Sequence, residues 1–272
     1  MIFCEYPPHK DLKPYIRSYW ILKYDTPVST DEGQQFLADG VEVMFNLGDP
    51  VVVIENGTSS RAGINTGFSG PMSQPMLMKP SGRIDLFGVC FRAGGAYSFF
   101  SLPANELANR CADLQDLWGA GGRRALDRIH DDRSSTAQRI RYLDAFFLHK
   151  LSQNRNDDVA LAKALHALQV SQGRISIEDL ATSTRLSCRQ LERKFKERVG
   201  ISPKKLCRNL RFKSVFKYLS DFPGDDWSSV AVACGYYDQA HMNRDFKHFT
   251  GFSPTVYFDR QSGMEKFFTA NF

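Results

Sequence analysis

The sequence predicts an α+β protein of two domains, a small N-terminal β-barrel or sandwich with helices at its end, followed by an all-α C-terminal domain. Three observations predict it. The first half breaks into short strands bounded by turn residues, the second half has helical periodicity, and part of the second half repeats itself 51 residues later. At 272 residues, 42% apolar and 24% charged, the chain is long enough for two cores, and its composition excludes a disordered or low-complexity protein.

The strands come first. Residues 16–24 are aromatic and β-branched. In 41–47 the apolar residues Val41, Val43, Phe45 and Leu47 alternate onto one face. Gly48-Asp49-Pro50 then turns into a strand over 51–55, and Asn56-Gly57 is the strongest two-residue hairpin signal. A further strand over 83–91 follows Pro80-Ser81-Gly82. The period then changes, and helices are expected over 105–118 and 123–130. Ser135 and Gln138 form a capping box for a helix over 136–152. On that helix Ile140, Leu143, Phe147 and Leu151 make an apolar stripe, which either packs on its own sheet or pairs two subunits of a homodimer.

Catalytic chemistry lacks raw material here. The histidines, at 9, 130, 149, 166, 241 and 248, all fall outside the predicted strands. No GxSxG elbow or GxxxxGK[ST] loop occurs, and Phe91-Arg92-Ala93-Gly94-Gly95-Ala96 reads as a steric turn. The six cysteines contain no CxxC, so neither a zinc site nor a disulfide framework is expected. No apolar run reaches the roughly 18 residues of a membrane span, and no secretory leader is visible. These absences predict a reduced, cytoplasmic protein that is not an enzyme, without cofactor, metal or membrane partner. The alternative class is an enzyme or reactive-cysteine repair domain fused to a DNA-binding module, for which Cys4, Cys90 and Cys111 are too scattered.

Charge is distributed unevenly. Residues 1–158 hold 17 Lys+Arg against 19 Asp+Glu, whereas 159–260 hold 17 against 10. Within 185–217 there are 12 basic residues and only Glu192 and Glu197 as acids, the footprint of a polyanion binder. The same region holds the repeat, in which Leu191–Pro203 aligns without gaps on Met242–Pro254. The identical pairs are Arg193/Arg244, Phe195/Phe246, Lys196/Lys247, Gly200/Gly251, Ser202/Ser253 and Pro203/Pro254. Each pair has a local reason: glycine ends a helix in the left-handed conformation, and Ser-Pro caps and starts the next. Upstream, Ser176 starts a short helix from Ile177, the turn 183–186 follows, and Ser187 caps a helix to about Val199. In the second copy a helix over 227–234 leads through Gly235-Tyr236-Tyr237 to Asp238, which caps a helix to about Phe249. Two helix-turn-helix units are therefore expected, with Ala181 and Ala231 at the helix crossings and a long helix over 203–220 joining them.

Residues 159–258 resemble the DNA-binding domain of the AraC/XylS transcription regulators. The carriers are Gly235-Tyr236-Tyr237-Asp238-Gln239-Ala240-His241-Met242-Asn243-Arg244-Asp245-Phe246-Lys247 and Gly251-Phe252-Ser253-Pro254-Thr255-Val256-Tyr257. Ala240, Met242 and Phe258 depart from the family's usual Ser, Phe and Arg. More loosely, Pro14-Tyr15-Ile16, Tyr19-Trp20, Asp39-Gly40-Val41-Glu42 and 91–96 resemble the sensor or dimerisation domains of some of these regulators. The resemblance implies double-stranded DNA and RNA polymerase as partners, and a small-molecule effector held among the strands near Trp20 and Phe45. The expected domains are 1–154 for sensing or dimerisation, 155–260 for DNA, and a tail over 261–272.

Helix geometry assigns the contacts. Leu191, Phe195 and Val199 face the core of the first unit, which leaves Arg189, Glu192 and Arg193 for base edges. Met242 and Phe246 do the same for the second, leaving Gln239, His241, Asn243 and Arg244. Ser187, Lys196, Arg198, Lys204, Lys205 and Lys247 are expected at phosphates. Glu192 has the alternative of pairing with Arg189.

Overall fold

A computed structural model of the chain describes residues 2–24, 34–36, 40–55, 59–61, 66–72, 76–100, 102–131, 133–153 and 158–260. The strands run β1 (Ile2–Tyr6), β2 (Ile16–Tyr24), β3 (Gln34–Phe36), β4 (Glu42–Asn46), β5 (Val51–Glu55), β6 (Ser59–Arg61), β7 (Thr66–Ser69), β8 (Met76–Pro80), β9 (Ile84–Phe91) and β10 (Cys111–Asp113). They form two antiparallel sheets, ordered β1-β2-β9-β4-β7-β10 and β3-β8-β5-β6. β5 and β6 pair antiparallel, with Glu55 opposite Ser59, and the Asn56-Gly57 turn expected between them lies outside the described residues.

The first sheet is covered on both faces at its centre, where every residue of β9 is buried. On one face Val43, Phe45, Phe87, Val89 and Phe91 share a core with the helices that follow. On the other, Trp20, Leu22, Leu86 and Cys90 belong to a core that also holds residues of the C-terminal domain. Trp20 lies opposite Gly88, where a Cβ would stand 2.2 Å from the indole, so only glycine lets that ring lie flat on the sheet. Phe45 lies opposite Phe87, one residue away on β9 and therefore on the other face. Trp20 and Phe45, the residues expected near an effector, therefore sit in two separate cores on opposite faces of the sheet.

The helices after the sheet also differ from expectation. Instead of two helices over 105–118 and 123–130, the chain forms α1 (Ala104–Leu107), the strand β10 and one unbroken α2 (Leu114–Ile129). Gly119, Gly121 and Gly122 each cost a helix about 1 kcal/mol, but fully buried Leu114, Ala125 and Ile129 hold α2 against the domain. The capping box forms as read: the Ser135 N–H donates to Gln138 Oε1 at 2.8 Å, and the Gln138 N–H donates to Ser135 Oγ at 3.3 Å. It starts α3 (Thr136–Gln153). Leu143 and Phe147 are 0% exposed, and the Phe147 ring meets Phe91 and Phe99 at 5.4 and 5.1 Å. Ile140 and Leu151 pack half-buried against the same core. The stripe is therefore spent on its own sheet, which removes it as a dimer surface. Asp144 fixes the helix further, accepting from the Tyr19 hydroxyl at 2.9 Å and the His9 N–H at 3.0 Å.

The C-terminal helices are α4 (Val159–Val170), α5 (Ile177–Thr184), α6 (Cys188–Arg198), α7 (Pro203–Asp221), α8 (Trp227–Ala233), α9 (Gln239–Thr250) and α10 (Pro254–Arg260). Side-chain caps from Asp158, Ser176, Ser187, Ser202, Asp226 and Asp238 start six of them. The first unit closes on Leu180, Ala181, Leu191 and Phe195 with Leu206 and Cys207 of α7. The second closes on Val230, Ala231, Met242, Phe246 and Phe249 with Phe212, Val215 and Phe216 of the same helix. Burying either Phe195 or Phe246, both 0% exposed, is worth about 3 kcal/mol at the upper end of the side-chain range.

The two domains are in direct contact. Asn209 of α7, 1% exposed, donates to the Met72 carbonyl at 2.8 Å. Gly200, at φ +91°, ends α6 so close to the N-terminal domain that a Cβ would lie 2.6 Å from both the Ala104 carbonyl oxygen and Pro71 Cγ. The expected boundary at 154/155 and the tail 261–272 lie outside the described residues.

Candidate nucleic-acid interface

Both helix pairs turn through a left-handed residue, Arg185 at φ 57° in the first and Gly235 at φ 80° in the second. The bond that closes each turn is the same, Leu186 N–H to the Ala181 carbonyl and Tyr236 N–H to the Ala231 carbonyl. After it the copies diverge, because α6 is capped one residue later at Ser187, whereas α9 waits for Asp238, two residues after Tyr236.

On α6 the expected division of faces holds. Leu191, Phe195 and Val199 are at most 2% exposed, while Arg189, Glu192, Arg193 and Lys196 are exposed. Ser187, Arg189, Glu192, Arg193, Lys196 and Lys205 border one open concavity of about 910 Å³. Lys204 is exposed on the first turn of α7. The Glu192 carboxylate makes no ion pair among the described residues, so the pairing with Arg189 is not formed. The hydroxyl of Ser187 is engaged in its cap, accepting from the Gln190 N–H at 3.2 Å and donating to Gln190 Oε1 at 3.1 Å.

Arg198 is a correction. Its side chain is 16% exposed, and its guanidinium lies 3.8 Å from Asp158 and stacks over the Tyr97 ring at 4.6 Å. The N-terminal domain occupies it, and the Tyr97 hydroxyl donates to Glu197 at 3.2 Å beside it. Asp158 also takes Lys194 and caps α4 through the Leu161 N–H. Burial alone would raise the Asp158 carboxyl, but Lys194, the Leu161 N–H and Arg198 together hold it below the usual carboxylate range.

On α9, Met242 and Phe246 are 0% exposed, and Arg244 and Lys247 are exposed. Gln239, His241 and Asn243 are half-buried. Gln239 Oε1 accepts from the Ser228 hydroxyl at 3.2 Å, and His241 stands edge-on to Tyr236 at 5.2 Å. Sequence reasoning missed the pair behind them. Asp245, 3% exposed, takes two guanidinium N–H groups of Arg208 at 3.0 and 2.7 Å, which ties α9 to α7. The signal was present, since Asp245 stands three residues from Met242 and four from Phe249, on the apolar face.

Among the described residues no cluster of metal-ligating side chains occurs, and no helix is long and apolar enough to cross a membrane. Burial pushes the Cys90 thiol well up, with Glu42 adding to it, which is the wrong direction for a reactive thiolate.

Residues 180–260 match a family described as a helix-turn-helix domain, and residues 4–113 match one described as a domain of unknown function (DUF6597). No curated protein sequence matches the chain significantly. Among solved structures the chain is similar to ToxT from Vibrio cholerae, at 14% identity and a TM-score of 0.51 over 89% of this chain and 99% of that one. A second ToxT structure, bound to (E)-4-(8-methylnaphthalen-1-yl)but-3-enoic acid, is similar at 12% identity and a TM-score of 0.50 over 87% and 97%. At these identities the likeness concerns the two-domain fold.

Proposed function

We propose, from the premise that residues 180–260 are a helix-turn-helix domain of AraC type, that the chain is a transcription regulator whose two units read successive major-groove segments of one DNA site. The observation that carries the reading is the tandem itself: α6 and α9 are each capped at the N-terminus, anchored by a buried Phe at the equivalent position, Phe195 and Phe246, and cationic on the outer face. Arg189, Arg193 and Arg244 have the fork geometry for guanine, Gln239 and Asn243 suit adenine, Glu192 suits the cytosine amino group, and His241 adds a polar groove contact. Lys196, Lys204, Lys205 and Lys247 serve phosphates, which position the protein without specifying sequence.

The N-terminal domain fits the role of a sensor. A cleft of about 460 Å³ lies between the domains, with Tyr15, Arg92 and Tyr97 on one side and Leu165 and His166 of α4 on the other, a size usual for small-molecule sites. Its aromatic and cationic lining suits a molecule with an apolar body and an acidic group. ToxT, of similar fold, holds such an acid in one of its structures. The deciding experiment is fluorescence anisotropy on duplex DNA across a salt series, with a footprint on an enriched sequence. Affinity should fall by about 0.9 log units per log unit of salt for each phosphate contact, and protection should cover two segments about one helical turn apart. Salt-independent binding, or no binding, refutes the reading.

A further inference from the structure

The concavity beside α6 is not bordered by the helix-turn-helix unit alone. Asn109, from the N-terminal domain, contributes to its wall together with Arg189, Arg193, Lys196 and Lys205. The loop that carries it is fixed in place. Asn109 is left-handed at φ 56°, its N–H donates to the Pro71 carbonyl at 3.1 Å, and the Arg110 carbonyl accepts from the Gly70 N–H at 3.0 Å. The same Pro71 is seated against Gly200, and the neighbouring Met72 carbonyl takes the buried Asn209 amide. Loop and recognition helix therefore arrive at a ligand as one body, with no slack between them.

Next to Asn109 stands Arg110, which is exposed. Among the described residues its side chain has no hydrogen-bond or ion-pair partner. Whatever fills the concavity meets four cations and Glu192, and the complementary occupant is a nucleic-acid backbone.

We propose that Asn109 and Arg110 extend the DNA interface onto the N-terminal domain, with Arg110 taking a phosphate that flanks the groove entered by α6. The proposal rests on the DNA-binding reading above. It makes the N-terminal domain part of the bound surface, so that a change in its seating alters affinity directly. Because the contact is to backbone, it should act alike on every sequence.

The test uses the full chain and a duplex enriched from a random pool by the wild type, with anisotropy between about 50 and 200 mM salt. Arg110→Ala should make the slope of log affinity against log salt shallower by about 0.9, the value of one phosphate contact. The loss should be equal on the enriched duplex and on a mixed-sequence one. Arg110→Lys should restore the slope, and Arg110→Glu should weaken binding more than Arg110→Ala. Arg133→Ala, an exposed arginine on the turn before α3, should change nothing. A wild-type slope and affinity in both Arg110→Ala and Arg110→Glu overturn the proposal and leave the DNA-binding reading intact. A wild type without salt-sensitive binding overturns both.

Discussion

The repeat supplies its own control for the domain contact. Gly200 and Gly251 occupy equivalent positions and are both left-handed, at φ +91° and +78°. A Cβ on Gly251 would meet nothing within 4 Å, whereas one on Gly200 would stand 2.6 Å from the Ala104 carbonyl oxygen. Gly251→Ala therefore pays only the left-handed conformation, roughly 1–2 kcal/mol, less the roughly 0.4–1 kcal/mol gained by stiffening the unfolded chain. A net loss of about 1 kcal/mol is expected. Gly200→Ala adds a collision with backbone, which cannot rotate away, and overpacking of that kind costs about 1–3 kcal/mol more. Its total is about 2–4 kcal/mol. Urea denaturation of the full chain, followed by tryptophan fluorescence and circular dichroism, reads both as midpoint shifts at constant slope. Equal shifts would refute the reasoning, because they would mean that the N-terminal domain does not rest on the end of α6.

Other expectations concern binding and acid. Arg193→Ala should cost about 1–3 kcal/mol and relax preference at one base pair, whereas Lys204→Ala should weaken all sequences alike; equal losses for Arg193→Ala on specific and random duplexes would remove it from the base-reading set. Leu143→Arg places a charge in a fully buried site and should unfold or aggregate the chain; a folded, soluble variant by sedimentation and circular dichroism would contradict the packing of α3. The Asp158 carboxyl is depressed in the folded chain, so its contribution is complete above the unfolded value near pH 4 and is lost as pH falls through the lower folded value. Asp158→Asn should flatten that acid limb of the stability curve, measured by urea midpoints from neutral pH downward.

What could be read from the sequence was local. Caps at Ser176, Ser187, Ser202 and Asp238 sit within three residues of the N–H groups they satisfy, and the spacing of Leu191, Phe195 and Val199 declares a face without reference to anything distant. Both helix-turn-helix units followed from such signals. What failed was tertiary. Local propensity broke α2 at its glycines, but burial of Ala125 and Ile129 carried the helix through. Arg198 has the composition of a phosphate contact, and only the approach of Tyr97, 101 residues earlier, redirects it. The stripe on α3 was visible but ambiguous, since an apolar face looks the same whether a sheet or a second subunit covers it. Asn109 carries no sequence signal at all, because its place beside α6 is a product of how the domains meet.

α7 belongs to both units at once, lending Leu206 and Cys207 to one core and Phe212, Val215 and Phe216 to the other. Its 19 residues span about 28 Å as a single helix. If both units read DNA as proposed, the interval between them is a ruler with discrete marks. Adding one residue midway would advance the second unit by about 1.5 Å and swing it by about 100°. A neighbouring operator length is therefore not within reach by small adjustment. On the proposed reading, the separation of the half-sites would be locked to their angular phase, and such a chain would change what it reads at each half-site far more readily than how far apart the half-sites stand.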